Sequence, residues 1–82
     1  MHTLVVYDIS NDRRRTKIAD VCLDYGLDRI QMSAFMGQLN RTHQEELMLK
    51  LSAILGDEAG IIQLYPIDRD SWDKRLEVGN VG

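Results

Sequence analysis

Residues 5–18, Val5-Val6-Tyr7-Asp8-Ile9-Ser10-Asn11-Asp12-Arg13-Arg14-Arg15-Thr16-Lys17-Ile18, constrain this chain more than any other stretch. An apolar, β-branched run ends on a carboxylate. A turn follows, and a helix then opens with Arg13, Arg14, Arg15 and Lys17 packed into one turn and a half. A carboxylate at a strand end is a place to hold a divalent cation, and a basic helix start beside it is a place to grip a phosphate backbone. The pairing points to a protein that meets nucleic acid through a metal-linked acidic site.

The rest of the composition limits that reading to one patch. Net charge is −3, so the surface as a whole does not attract a polyanion; the four cations of the basic run are drawn from a total of ten Lys and Arg, while Asp68, Asp70 and Asp73 gather elsewhere. An apolar content of 44% in 82 residues suits one globular domain, near the lower size at which a core alone gives stability. Such a small domain gains by self-association, and a homodimer is expected. Cys22 is the single cysteine and forms no intrachain bridge. With no apolar stretch of membrane-spanning length and no leader pattern, the expectation is a reduced, soluble, cytoplasmic protein with no membrane partner.

Residues 3–8 read as the first strand, and Asn11 or Asp12 caps a helix whose apolar positions Ile18, Val21, Cys22 and Tyr25 fall on one face until Gly26 stops it. Residues 29–39 alternate loosely, as one bent strand or a tight pair with Gly37 at a bulge or turn; Ile30, Met32, Ala34 and Met36 fall on one side, Gln31, Ser33 and Phe35 on the other. Thr42-His43-Gln44-Glu45 fits a capping box for a second helix with Leu47, Met48, Leu51, Ile54 and Leu55 on its apolar face, ended by Gly56. Residues 61–67 form a further strand broken by Pro66, an acidic turn follows, and Arg75–Val78 suit a short last strand. The expected fold is α+β: a ferredoxin-like βαββαβ domain over residues 1–78, with a tail at 79–82. Both helices then cover one face of an antiparallel sheet. Val5 and Tyr7 point to one side of the first strand, Leu4 and Val6 to the other, so the second face is apolar too and predicts homodimerisation through it.

Each candidate site residue has an ordinary reading beside the functional one. Asp8 either closes the next turn through an Asx hydrogen bond or holds Mg²⁺, which keeps most of its waters and takes one or two carboxylates. One Asp per chain is too few, but two copies of Asp8 meeting across a dimer axis would share one ion. The basic run is either a solvated helix face or a phosphate grip, and cations at the positive end of the helix dipole favour the second. Phe35 is either core or, being out of phase with Ile30, Met32 and Ala34, part of a dimer or ligand face; Ser33 shares its side and suits a bond to phosphate or water. His2 and His43 lack metal-ligand spacing, Tyr65 and Trp72 suit packing, and the paired aromatics of RNA-recognition sheets are absent.

The run Val5–Ile9, Asn11–Ile18, Tyr25-Gly26-Leu27, Gln31-x-Ser33-x-Phe35-x-Gly37 and Leu64-Tyr65-Pro66 resembles the small CRISPR-associated protein that partners the CRISPR integrase in spacer acquisition, over about residues 3–67. The resemblance implies a ferredoxin-like homodimer with Asp8 near the two-fold axis, and an Mg²⁺-dependent nuclease activity on RNA or DNA. It also implies a scaffold role bridging integrase subunits over captured DNA. By matched position it assigns Asp8 as the catalytic and metal-holding residue, Tyr7 and Phe35 as supporting residues, and Arg15, Lys17 and Arg29 as contacts to nucleic acid; Arg13 and Arg14 join them from the basic run. The short stretch after the fourth strand departs from the family, which uses residues there to extend the partner's sheet or reach the integrase. Three functions are therefore expected in competition: a metal-dependent endonuclease of spacer acquisition in antiviral defence, a non-catalytic DNA-binding adaptor, and a toxin-type ferredoxin-like mRNA ribonuclease.

Overall fold

A computed structural model describes residues 1–80; the last two residues of the expected tail lie outside the described residues. The first strand, β1, runs His2–Ile9, and the first helix, α1, spans Asp12–Asp24. A hairpin of β2 (Asp28–Gln31) and β3 (Ala34–Gln38) follows, then α2 (Arg41–Leu55), β4 (Gly60–Ile67) and a short α3 (Arg69–Asp73). The sheet order is β2-β3-β1-β4 with every neighbouring pair antiparallel. This is the expected βαββαβ order, with the two long helices on one face.

Alternation along β1 explains why. Thr3, Val5, Tyr7 and Ile9 are buried, and the last three join Ile18, Ala19 and Cys22 of α1 and Leu47 and Leu51 of α2 in one cluster. Successive strand residues point to opposite faces, so His2, Leu4, Val6 and Asp8 lie on the face away from the helices. Among the described residues no helix is long and apolar enough to cross a membrane.

The hairpin corrects three expectations. The turn falls at Met32 and Ser33, and Gly37 lies within β3. A Cβ on Gly37 would lie 2.7 Å from Leu27 Cδ2 and 3.1 Å from Leu27 Cα, so this glycine lets the loop after α1 pack directly on β3. The register irregularity sits between Arg29 and Gln31 instead. Together, turn and bulge break the single alternation expected over residues 29–39. Ile30 and Met32 are exposed, whereas Ala34 and Met36 are buried.

Phe35 is fully buried in the helix-side core, which overturns its placement on a dimer or ligand face. It stands opposite Val5 in the ladder, and residues directly opposite share a face.

Caps and ends also differ from expectation. Asn40, not Thr42, caps α2, its side chain accepting from His43 N at 2.8 Å. Gln44 then turns inward, where its amide donates to Thr3 Oγ1 at 2.9 Å and ties α2 to β1. Pro66 does not break β4; it pairs with Thr3 on an edge strand, where a missing donor is tolerated. The acidic turn is α3, capped by Asp68, whose carboxylate accepts from Ser71 N at 2.7 Å. Residues 75–78 form no strand. Trp72 of α3 stacks on His2 with centroids 5.9 Å apart, so the chain after β4 folds back over the sheet face away from the helices. Beyond it Leu76 and Val78 are fully exposed, and on β4 Ile61 and Tyr65 are about half exposed.

Candidate nucleic-acid interface

The topology brings one end of every long element together: the end of β1, the start of α1, the β2–β3 turn, the end of α2 and the start of β4. Tyr7 N donates to Ser33 O at 3.0 Å, which fixes the turn beside the end of β1. On the other side Asp8 pairs with Ile61 of β4. Asp8 is therefore flanked by backbone from both neighbouring strands.

Its carboxylate is exposed and enters none of the side-chain hydrogen bonds or ion pairs among the described residues. The Asx-turn role is taken by Asn11, whose Oδ1 accepts from Arg14 N at 3.0 Å and caps α1. A turn-closing Asp8 is thus not needed, and the side chain stands free for another ligand. Among the described residues no group of three or more His, Cys, Asp or Glu is placed to hold a metal ion. One chain offers a single free carboxylate, which suits a hydrated Mg²⁺ only if a second copy or a phosphate supplies more oxygens.

The four cations of the basic run divide into two pairs. Arg14 Nη1 donates to Ile54 O at 3.1 Å and Leu55 O at 2.8 Å, the last carbonyls of α2, and its Nε lies 3.8 Å from Glu58. A guanidinium at a helix C-terminus is stabilising, by about 0.3–1 kcal/mol. Arg15 Nη1 donates to Ile9 O at 3.1 Å, and Nη2 pairs with Asp12. Both side chains are half-buried and occupied by the fold, so their expected nucleic-acid contact is not what the geometry favours. Arg13 and Lys17 are exposed and pair with no acidic group among the described residues. They line an open groove of about 440 Å³ between α1 and α2, floored by Ala53 and Ile54.

The aromatic residues form a support, not a ligand face. Tyr7 and Phe35 stack with centroids 6.3 Å apart, and the Arg29 guanidinium lies 5.0 Å from the Phe35 ring centroid. Arg29 is exposed on β2, two strands from Asp8 in the sheet, and its cationic face is held by this contact. The Tyr7 hydroxyl is buried with no partner among the described residues, a feature that costs about 1–3 kcal/mol. Ser33 occupies the turn, half-buried, beside Tyr7. Burial pushes the Cys22 thiol up to about 11, against a smaller opposing effect of Arg29, so it is no nucleophile at neutral pH. Sequence reasoning missed Gly60, which packs against Asp8; a glycine opening a strand after Ala59 was the available signal.

This strand-end carboxylate, turn and basic helix start lie inside a stretch, residues 1–75, that matches the family model described as CRISPR associated protein Cas2. The chain belongs to the Cas2 family. A Cas2 protein of Chloroflexus aurantiacus, named a CRISPR-associated endoribonuclease, is 48% identical over 75 residues, covering 92% of this chain and 88% of that protein. A fusion of endonuclease Cas1 and endonuclease Cas2 from Thermoproteus tenax is 35% identical over 78 residues, spanning 95% of this chain and 30% of the fusion. In three dimensions, Streptococcus pyogenes Cas2 superposes with a TM-score of 0.82 at 26% identity, over 98% of this chain and all of that one. The expected resemblance and the ferredoxin-like fold are both borne out.

Proposed function

We propose that this Cas2-family chain works as a homodimer in CRISPR adaptation, as a metal-dependent phosphodiesterase on nucleic acid and as the partner of the integrase. The observation that carries it is the Asp8 carboxylate at the end of β1, exposed and in no side-chain hydrogen bond or ion pair among the described residues, with Arg13 and Lys17, which pair with no acidic group among those residues, on the helix that follows. Two Asp8 residues across a dimer axis would hold one Mg²⁺, which when bound polarises a phosphate oxygen and activates water. The exposed apolar Ile61 and Tyr65 on the sheet face away from the helices support dimer formation on that side. Arg13 and Lys17 would hold the backbone of the substrate while Arg14 and Arg15 keep α1 in place. The relatives named endoribonucleases support RNA as a substrate class.

A second reading, a non-catalytic adaptor, is favoured by the Cas1/Cas2 fusion among the relatives and by the lone Asp8 carboxylate, since no group of three or more His, Cys, Asp or Glu among the described residues is placed to hold a metal. The two readings separate on one assay. Purified protein with Mg²⁺ is expected to cleave RNA or duplex DNA, and an excess of chelator is expected to stop it. Cleavage that persists in chelator would overturn the metal at Asp8 and point to a metal-independent nuclease, whereas no cleavage with metal would leave the adaptor.

Nucleic-acid affinity is expected to rest on Arg13 and Lys17. If both contact phosphate in each subunit of a dimer, log K falls against log salt with a slope of roughly −4 on duplex DNA. Replacing both with Ala is expected to remove most of that slope, with no change in sequence preference. Titrations at several salt concentrations check this; an unchanged slope in the double variant would move DNA contact to another surface.

A further inference from the structure

Arg14 stands in the basic run but turns toward α2, and what it holds is the end of that helix. Leu55 O accepts both Arg14 Nη1 at 2.8 Å and the amide of Glu58 at 3.1 Å. The same carbonyl therefore closes the turn after α2 and anchors it to α1. Gly56 leaves the room this needs: a Cβ there would lie 2.8 Å from Arg14 Nη1. Glu58, on the same turn, places its carboxylate 3.8 Å from Arg14 Nε.

The turn ends at Gly60, the first residue of β4. Gly60 has φ +154°, and a Cβ on it would lie 2.9 Å from both Asp8 O and Ile9 Cγ1. The backbone of β4 thus touches the backbone of Asp8 directly, in the register Asp8 opposite Ile61 and Ile9 opposite Gly60. A slack turn at 56–59 would shift this seat and, with it, the direction in which the Asp8 carboxylate leaves the sheet.

We propose that Arg14 is a positioning residue: by tying the end of α2 to the start of α1 it fixes the 56–60 turn that seats β4 against Asp8. This role rests on the metal-dependent reading of Asp8 for its functional consequence, though not for its structural one. It separates Arg14 from Arg13 and Lys17, which lie in the same run and the same groove but hold no backbone.

The test compares the wild-type chain with Arg14→Ala and Arg14→Lys in three measurements. Amide hydrogen exchange over residues 56–62 is expected to quicken about tenfold or more in Arg14→Ala, with the centre of α1 unchanged, and the Asp8 carbonyl carbon is expected to shift in its NMR spectrum. Metal-dependent cleavage is expected to fall about tenfold. The salt slope of nucleic-acid binding is expected to stay as in wild type. Arg14→Lys keeps a cation at the end of α2 and is expected to fall between the two; it carries the same readings if the Ala variant does not fold. Unchanged exchange and an unmoved Asp8 signal would overturn the brace. Quickened exchange with full cleavage would show that the brace does not serve Asp8, and a shallower slope would make Arg14 a phosphate contact. A wild-type chain that does not cleave would sink the catalytic reading alone, since exchange and the Asp8 signal still decide the brace.

Discussion

Asp8→Asn is expected to abolish metal-dependent cleavage, by a hundredfold or more, while leaving the fold as it is. The two halves of this expectation come from the same observation. The carboxylate bonds to no described residue, so replacing it with an amide of equal size removes no contact and should change stability by less than about 0.5 kcal/mol. An amide is a poor ligand for Mg²⁺, and a dimer would lose both of its carboxylates in one substitution. Losing a metal that stabilises charge by several kcal/mol corresponds to a rate loss of about 10² to 10³ or more. Cleavage rate, thermal melting and sedimentation of variant and wild type together check it. Cleavage at an unchanged rate would show that Asp8 is not the metal-holding residue. A variant that melts well below wild type would show that the Asp8 carboxylate also supports the fold.

What could be read in the sequence was whatever lies close together along the chain. The alternation of residues 3–8, the heptad-like spacing of Ile18, Val21, Cys22 and Tyr25, and the apolar face of Leu47 and Leu51 each depend on neighbours within two turns. They gave the order of elements and the core. The hairpin was less legible because every residue of β2 is exposed, which leaves no alternation to read, and because a turn and a bulge reset the phase before Phe35. The cap of α2 was ambiguous between nearby polar residues: Asn40 and Thr42 both satisfy the local rule, and α2 begins at the Asn40 side chain that accepts from His43 N, while Gln44 is spent on a bond to Thr3, 41 positions away.

The same limit governs the candidate site. Asp8 and the cations stood out by residue type, but not which cations were free. Arg14 and Arg13 are identical in composition and adjacent in sequence. They differ because one reaches carbonyls 40 and 41 positions away and the other does not. The helix-dipole argument, which made the whole run a repelling cluster waiting for phosphate, holds for Arg13 and Lys17. For Arg14 it has the wrong sign, since that guanidinium belongs to the negative end of α2.

Phe35→Ala is expected to cost about 3–5 kcal/mol and to lower the melting temperature by some 12 °C or more. The side chain is fully buried, stacks on Tyr7 and carries Arg29 on its ring, so truncation leaves a cavity at the join of β1, β2 and β3. A domain this size has only about 4–12 kcal/mol of stability in total, so much of the variant would be unfolded at growth temperature unless dimerisation restores it. Loss of cleavage in Phe35→Ala would therefore say nothing about chemistry. Phe35→Leu decides the matter, because it keeps most of the volume and the apolar surface under Arg29 at a cost of roughly 1.5 kcal/mol. It is expected to melt about 6–12 °C below wild type, to bind nucleic acid with the same salt slope and to cleave at a similar rate. Should the Leu variant stay folded and dimeric yet lose cleavage, the ring itself would be needed at the site, and Arg29 over its face would be the residue through which it acts.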